Sequence, residues 1–328
     1  MLSESGSISR REALVAGASG AAALHAGSTA SGWAASAGPR ALVTADKESH
    51  VAVVSLASGR VVRRITTLEG PRSIQAAPGG AAIVANTAAH AITLLDGRAG
   101  RVRRVLRGFD EPRYTSVTPD GRHAFVTDSG SGEVAVIDLR RGRVVTRVFA
   151  GAHARHVTLD GSGTRLWVGL GSSAERLSVL DVRDPLRPRR ARLIRPPFLA
   201  HDVGFSPSGR FVWVTAGRER RIAIFDAASG RAVVQLPADE APQHVSFGPT
   251  LAYVASGEGR SVRVHRLSDA KVVRRTAVPL GSYNVQRGLG RVLTPSLAVG
   301  TLTVLDRHGR TLREVRIGRA AHDACVVT

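Results

Sequence analysis

Residues 112–138 read PRYTSVTPDGRHAFVTDSGSGEVAVID, and that phrase decides the fold. Three runs of about six residues alternate β-branched or apolar side chains with small or polar ones, as short half-buried strands do. Between the runs stand Pro119-Asp120-Gly121 and Ser129-Gly130-Ser131-Gly132, residue types that set tight turns. A fourth run, RVVTRV from Arg143, follows a further glycine. One phrase of about forty residues therefore predicts four short antiparallel strands, a unit that cannot bury its apolar face alone.

The phrase recurs along the whole chain from Ala41. Its second strand reads ALVTAD from Ala41, AAIVAN from Ala81, HAFVTD from His123, RLWVGL from Arg165, FVWVTA from Phe211, LAYVAS from Leu251 and RVLTPS from Arg291. Its third strand, VAVIDL from Val134 among others, likewise occurs seven times, and a fourth follows a glycine-containing turn in most copies. The fourth copy differs by an insertion rich in proline between Asp184 and Pro197. The first strand of the phrase has only six copies in sequence, because the first repeat opens on its second strand. Its missing copy stands at the far end, where Ala321-His322-Asp323 matches Ala200-His201-Asp202 in phase. A displaced copy of this kind is explained by a ring. The last strand completes the first blade, no large sheet edge is left open, and the architecture is an all-β, seven-bladed β-propeller of four-stranded antiparallel blades over residues 38–328.

The best-matched phrase, with Pro119-Asp120-Gly121, Phe125-Val126-Thr127-Asp128 and Val136-Ile137-Asp138, resembles the YVTN family of β-propeller repeats. The resemblance spans about 290 residues in register. It implies the fold and little of the activity, since that family includes binding proteins, scaffolds and relatives that hold redox cofactors.

At the N-terminus, Ser9-Arg10-Arg11-Glu12-Ala13-Leu14-Val15 leads into an Ala/Gly-rich stretch, and Ala35-Ser36-Ala37 offers small residues for cleavage. This resembles a twin-arginine export signal over residues 1–37, with Ala13 and Val15 departing from the family's preferred Phe and Lys. It implies a mature domain in the periplasm or outside the cell. The apolar run is too short and too weakly hydrophobic to serve as a transmembrane anchor.

The single cysteine, Cys325, excludes an internal disulfide framework and any multi-cysteine metal centre. The net charge of +20 is almost entirely arginine, Lys47 and Lys271 being the only lysines. Much of it falls in the outermost strands, at Arg63, Arg64, Arg103, Arg104, Arg192, Arg274, Arg275 and Arg313 among others, where it would oppose edge-to-edge pairing. A polyanion or single-stranded nucleic acid partner is the alternative, although few aromatic side chains are placed for base stacking.

The resemblance implies that the first strand of each blade lines the central channel. Taking the second residue of each such strand gives Arg72, Arg113, His153, His201, Gln243, Tyr283 and His322; the third residues include Tyr114, Asp202, His244 and Asp323. The ligand-binding collar expected here is thus Arg72, Arg113, Tyr114, His153, His201, Asp202, His244, Tyr283, His322 and Asp323. Five histidines, His153, His156, His201, His244 and His322, fall on these strands. Imidazoles converging from different blades could hold a metal or a tetrapyrrole without any local motif, with His153, His201, His244 and His322 as the candidate ligands. In YVTN repeats a histidine at this point commonly just caps a turn or bonds backbone. Asp202 and Asp323, about three blades apart, are too far separated for a carboxylate pair but could each orient a neighbouring side chain. No nucleophile elbow, phosphate loop or zinc-protease helix occurs in the sequence. The expectation is a monomeric binding or scaffold protein for a protein or small-molecule partner, without catalysis or a cofactor of its own. A metal- or tetrapyrrole-binding propeller comes second and a polyanion binder third.

Overall fold

A computed structural model describes residues 38–327; the segment read as an export signal lies outside the described residues. Seven sheets of four strands each are arranged as blades, and every pairing is antiparallel. Blades 2 to 7 follow the chain, with inner strands at Pro71–Ala77, Pro112–Val117, Ala154–Leu159, Val203–Phe205, Pro242–Phe247 and Gln286–Gly288. Blade 1 is assembled from both ends of the domain. Its inner strand, Ala324–Val327, pairs with Arg40–Ala45 in the register Arg40↔Val327, Leu42↔Cys325 and Val43↔Ala324. The ring closure expected from the displaced repeat is therefore realised, and Thr44 N–H to Asp323 O (2.9 Å) and His322 N–H to Thr44 O (3.1 Å) extend the seal.

Burial explains why these residues make blades. The two middle strands of each blade are almost wholly buried, as in Ala124 to Asp128 and Val134 to Asp138, because both faces pack against neighbouring blades. The core is accordingly a set of clusters between blades. Trp167 of blade 4 packs with Phe205 and Phe225 of blade 5, and Trp213 of blade 5 lies edge-on to Phe247 of blade 6. The lone Cys325 is buried in the closing strand, its thiol pushed well up by desolvation. No helix among the described residues is long and apolar enough to cross a membrane.

The outer strands are the most exposed of each blade, and their arginines have a structural use beyond discouraging edge pairing. Arg104 of blade 2 donates to Arg141 O at 2.7 Å, Arg192 of blade 4 to Ser229 O at 2.6 Å, and Arg313 of blade 7 to Ala57 O at 3.1 Å. Each guanidinium caps the outer hairpin of the next blade, where the glycine (Gly142, Gly230 or Gly59) leaves room for it. Part of the positive charge is thereby absorbed in stapling blades together.

Candidate functional site

The site grows out of a repeated irregularity. Each complete inner strand breaks register near its start: between Pro71 and Ser73, Pro112 and Thr115, Ala154 and Val157, and Pro242 and Val245. Such bulges free residues from the ladder and re-aim their side chains. The freed residues are the second and third of the strand in blades 3, 4 and 6 and the second, Arg72, in blade 2, which is why polar side chains gather there. A threonine of the adjacent strand satisfies the exposed backbone. Thr127 Oγ1 accepts from Tyr114 N–H and donates to Arg155 O of the next blade; Thr215 Oγ1 accepts from Asp202 N–H and donates to Gln243 O; Thr44 does the same between Asp323 and Arg72. In blade 4 the equivalent position is Gly169, so that bulge has no hydroxyl beneath it.

The bulge in blade 4 also corrects the expected collar. Ala154, not Ala152, is the equivalent of Pro112, since Ala154↔Leu170 and Val157↔Val168 repeat Pro112↔Asp128 and Thr115↔Val126. The second and third positions are therefore Arg155 and His156. His153 lies before the strand, exposed and with φ of +58°, and takes no part in the channel. The two-residue slip is invisible to pattern reading, because a shift of two keeps the inward and outward alternation intact.

With the register set, three blades bring their imidazoles together. The ring centroids of His156 and His201 are 4.3 Å apart, those of His156 and His244 5.0 Å, and those of His201 and His244 5.6 Å. One ligand atom from each ring lies within 4.8 Å of the others. Tyr114 packs at 4.4 Å against His156, and its hydroxyl is 3.4 Å from His244 Nε2. His322 is not part of this group. Its Nδ1 faces Arg72 O at 2.7 Å, fixing it as a bond across the blade 1 to blade 2 seam.

The donor atoms are selected by what lies behind each ring. Nδ1 of His201 faces Ser172 O at 2.8 Å and Nδ1 of His244 faces Asp202 Oδ2 at 3.3 Å, so the N–H sits on Nδ1 in both and the lone pair on Nε2. Asp202 also accepts from Val245 N–H at 3.0 Å, which holds the carboxylate in place. His156 is fully buried, and neither of its ring nitrogens has a hydrogen-bond partner. Desolvation, reinforced by the neighbouring imidazoles, puts His156 well below the ordinary histidine range and lowers His201 to about 4. Both rings are neutral at physiological pH, the form that coordinates metals.

The remaining collar residues serve the frame. Asp323 accepts from Ile74 N–H at 3.0 Å and from Ala324 N–H at 2.8 Å, tying blade 1 to blade 2, and burial raises its carboxyl to about 6. Tyr283 turns to the rim, where its hydroxyl donates to Glu258 Oε1 at 2.6 Å. Arg72 pairs with Asp46 at 3.0 Å and Arg113 pairs with Glu111. Third-position residues, including Ser73, Tyr114, Asp202, His244, Asn284 and Asp323, line a channel cavity of about 560 Å³ that continues down the inner strands.

No curated protein sequence matches the chain. Among solved structures, a functionally unknown protein from Desulfotomaculum acetoxidans DSM 771 superposes with a TM-score of 0.76 at 12% identity, covering 88% of this chain and 98% of that one. Kuenenia stuttgartiensis hydrazine synthase superposes with a TM-score of 0.68 at 19% identity, covering 79% of this chain and 90% of that one. At such identities the likeness is one of fold. The model of the YNCE-like beta-propeller family matches residues 11–190, more than half of the sequence, and the chain is a member of that family.

Proposed function

We propose that the protein is an exported propeller that binds a transition-metal ion at its channel through His156, His201 and His244. The observation that carries this reading is His156, a fully buried imidazole with both nitrogens unpartnered, facing two rings whose Nε2 lone pairs are already oriented. A buried polar group is ordinarily hydrogen-bonded, and leaving one bare costs about 1–3 kcal/mol. A metal ion would give that nitrogen its partner. Three imidazole nitrogens around a tetrahedral ion stand roughly 3.4 Å apart, so separations that now reach up to 4.8 Å need shorten by at most about 1.4 Å. Imidazole donors suit Zn²⁺ and Cu²⁺ above the oxygen-seeking ions. Asp202, behind His244, supplies the carboxylate that commonly steadies a metal-bound histidine. Export through the twin-arginine signal read at residues 9–15 belongs to the same proposal, that pathway carrying domains already folded.

The test is titration of chelator-treated protein with Zn²⁺, Cu²⁺ and Co²⁺ by calorimetry. One equivalent should bind, and His156→Ala or His201→Ala should weaken it at least 100-fold, whereas His322→Ala should leave affinity within a factor of a few. Stoichiometric binding that survives His156→Ala would overturn the assignment, as would no binding at all.

A further inference from the structure

Blades 2, 3 and 4 each present an arginine at the second collar position: Arg72, Arg113 and Arg155. The first two have acidic partners and the third does not. Among the described residues the guanidinium of Arg155 makes no ion pair and no hydrogen bond, its Nε being buried without a partner, and only its backbone carbonyl is bonded, by Thr127 Oγ1. The guanidinium lies over the Tyr114 ring, with 6.0 Å from its carbon to the ring centroid. The repeat explains the deficit. The place held by Glu111, two residues before Arg113, is held in blade 4 by His153, which faces solvent. The place held by Asp46, two residues beyond Thr44 in the blade preceding Arg72, is held in blade 3 by Ser129. Its hydroxyl is spent on Ala154 O. Neither of the two places that supply an acid to Arg72 or Arg113 therefore supplies one to Arg155.

The unbalanced charge adjoins the imidazole trio. Arg155 precedes His156 in the chain, and its guanidinium and the His156 ring both lie against Tyr114, 6.0 Å and 4.4 Å from the ring centroid. A half-buried guanidinium without a counter-charge is costly, and so is a divalent ion ligated only by neutral rings; an anion between them relieves both.

Resting on the metal-binding reading above, we propose that the site takes a small anion, carboxylate or inorganic, bound between the open coordination position of the metal and the guanidinium of Arg155. The planar fork of arginine matches the two oxygens of a carboxylate, and the trio supplies three ligands, leaving a fourth position free as metal sites that bind exogenous ligands do. Tyr114, stacked on His156 and beside His244 Nε2, walls the space in which such an anion would sit.

Cobalt-substituted protein tests this, because the visible bands of Co²⁺ report its fourth ligand. Addition of acetate or azide at constant ionic strength should shift the spectrum saturably. Arg155→Gln should weaken both anions at least ten-fold while Co²⁺ itself binds as tightly or more so, a repelling charge having been removed. Arg155→Lys should fall between, keeping the charge but not the fork. The proposal is overturned if the anions leave the wild-type spectrum unchanged, or if Arg155→Gln binds them as the wild type does. Failure to take up Co²⁺ at all is a different result, and it removes the metal site and the anion with it.

Discussion

Replacing His156 by leucine should make the metal-free protein more stable, although it deletes the most buried residue of the site. His156 is 1% exposed, both its ring nitrogens lack partners, and desolvation dominates its lowered pKa. An apolar side chain of similar size removes the penalty of two bare polar atoms, about 1–3 kcal/mol, and adds transfer free energy of order 1 kcal/mol. Some of this is lost to imperfect fit, so a net gain of about 1–3 kcal/mol is expected. Metal should reverse the order. At a free concentration a thousand times the dissociation constant, a bound ion stabilises the native wild type by about 4 kcal/mol, and the variant receives none of it. The assay is urea unfolding followed by circular dichroism, with and without chelator, reading midpoint and slope together. In chelator the variant's midpoint should lie above the wild type's; in excess Zn²⁺ it should lie below. A His156→Leu protein destabilised by more than about 1 kcal/mol in chelator would show that the imidazole is satisfied in the native state, and the reasoning would be refuted.

Three further expectations concern the frame. Deleting residues 321–328 removes the inner strand of blade 1 and bares Leu42 and Val43, so the whole domain should melt earlier in one transition; calorimetry showing an unchanged Tm would contradict ring closure by that strand. Burial raises Asp323 to about 6 in the fold against about 4 in the unfolded chain, so the native state binds this proton more tightly. Its contribution to stability is full below pH 4 and is lost as the pH rises to 6, a change of about 3 kcal/mol in order of magnitude; wild-type and Asp323→Asn stabilities that run parallel between pH 4 and 7 would show no such linkage. At Gly169 an added Cβ meets nothing nearer than 3.5 Å, and threonine there would supply the hydroxyl that Thr127 and Thr215 supply in their blades. Gly169→Thr should raise stability by about 1 kcal/mol in denaturant unfolding, and a loss would mean that blade 4 needs the glycine.

The repeat, the blade count and the closure are legible in the residues alone. A period of about forty residues with a two-residue alternation inside it leaves little freedom of topology, and the displaced Ala321-His322-Asp323 copy has no place except beside Arg40–Ala45. The sequence also carried the histidines and acids to the right ends of the inner strands. Which of them meet was decided by the tertiary structure alone. The alternation at Ala152-His153-Ala154-Arg155-His156 reads equally well in two phases, and the bulge that chooses between them is set by pairing with Leu170 and Val168, residues about a dozen positions away. That choice puts His153 in solvent and His156 beside His201 and His244. The difference between a capped turn and a ligand is likewise not local. His322 and His244 occupy neighbouring phases of the same repeat, yet one nitrogen of His322 meets Arg72 O across the seam, while Nε2 of His244 faces Tyr114 and the other two rings. Side-chain chemistry repeats with the blades; the partners depend on which blade lies next in the ring.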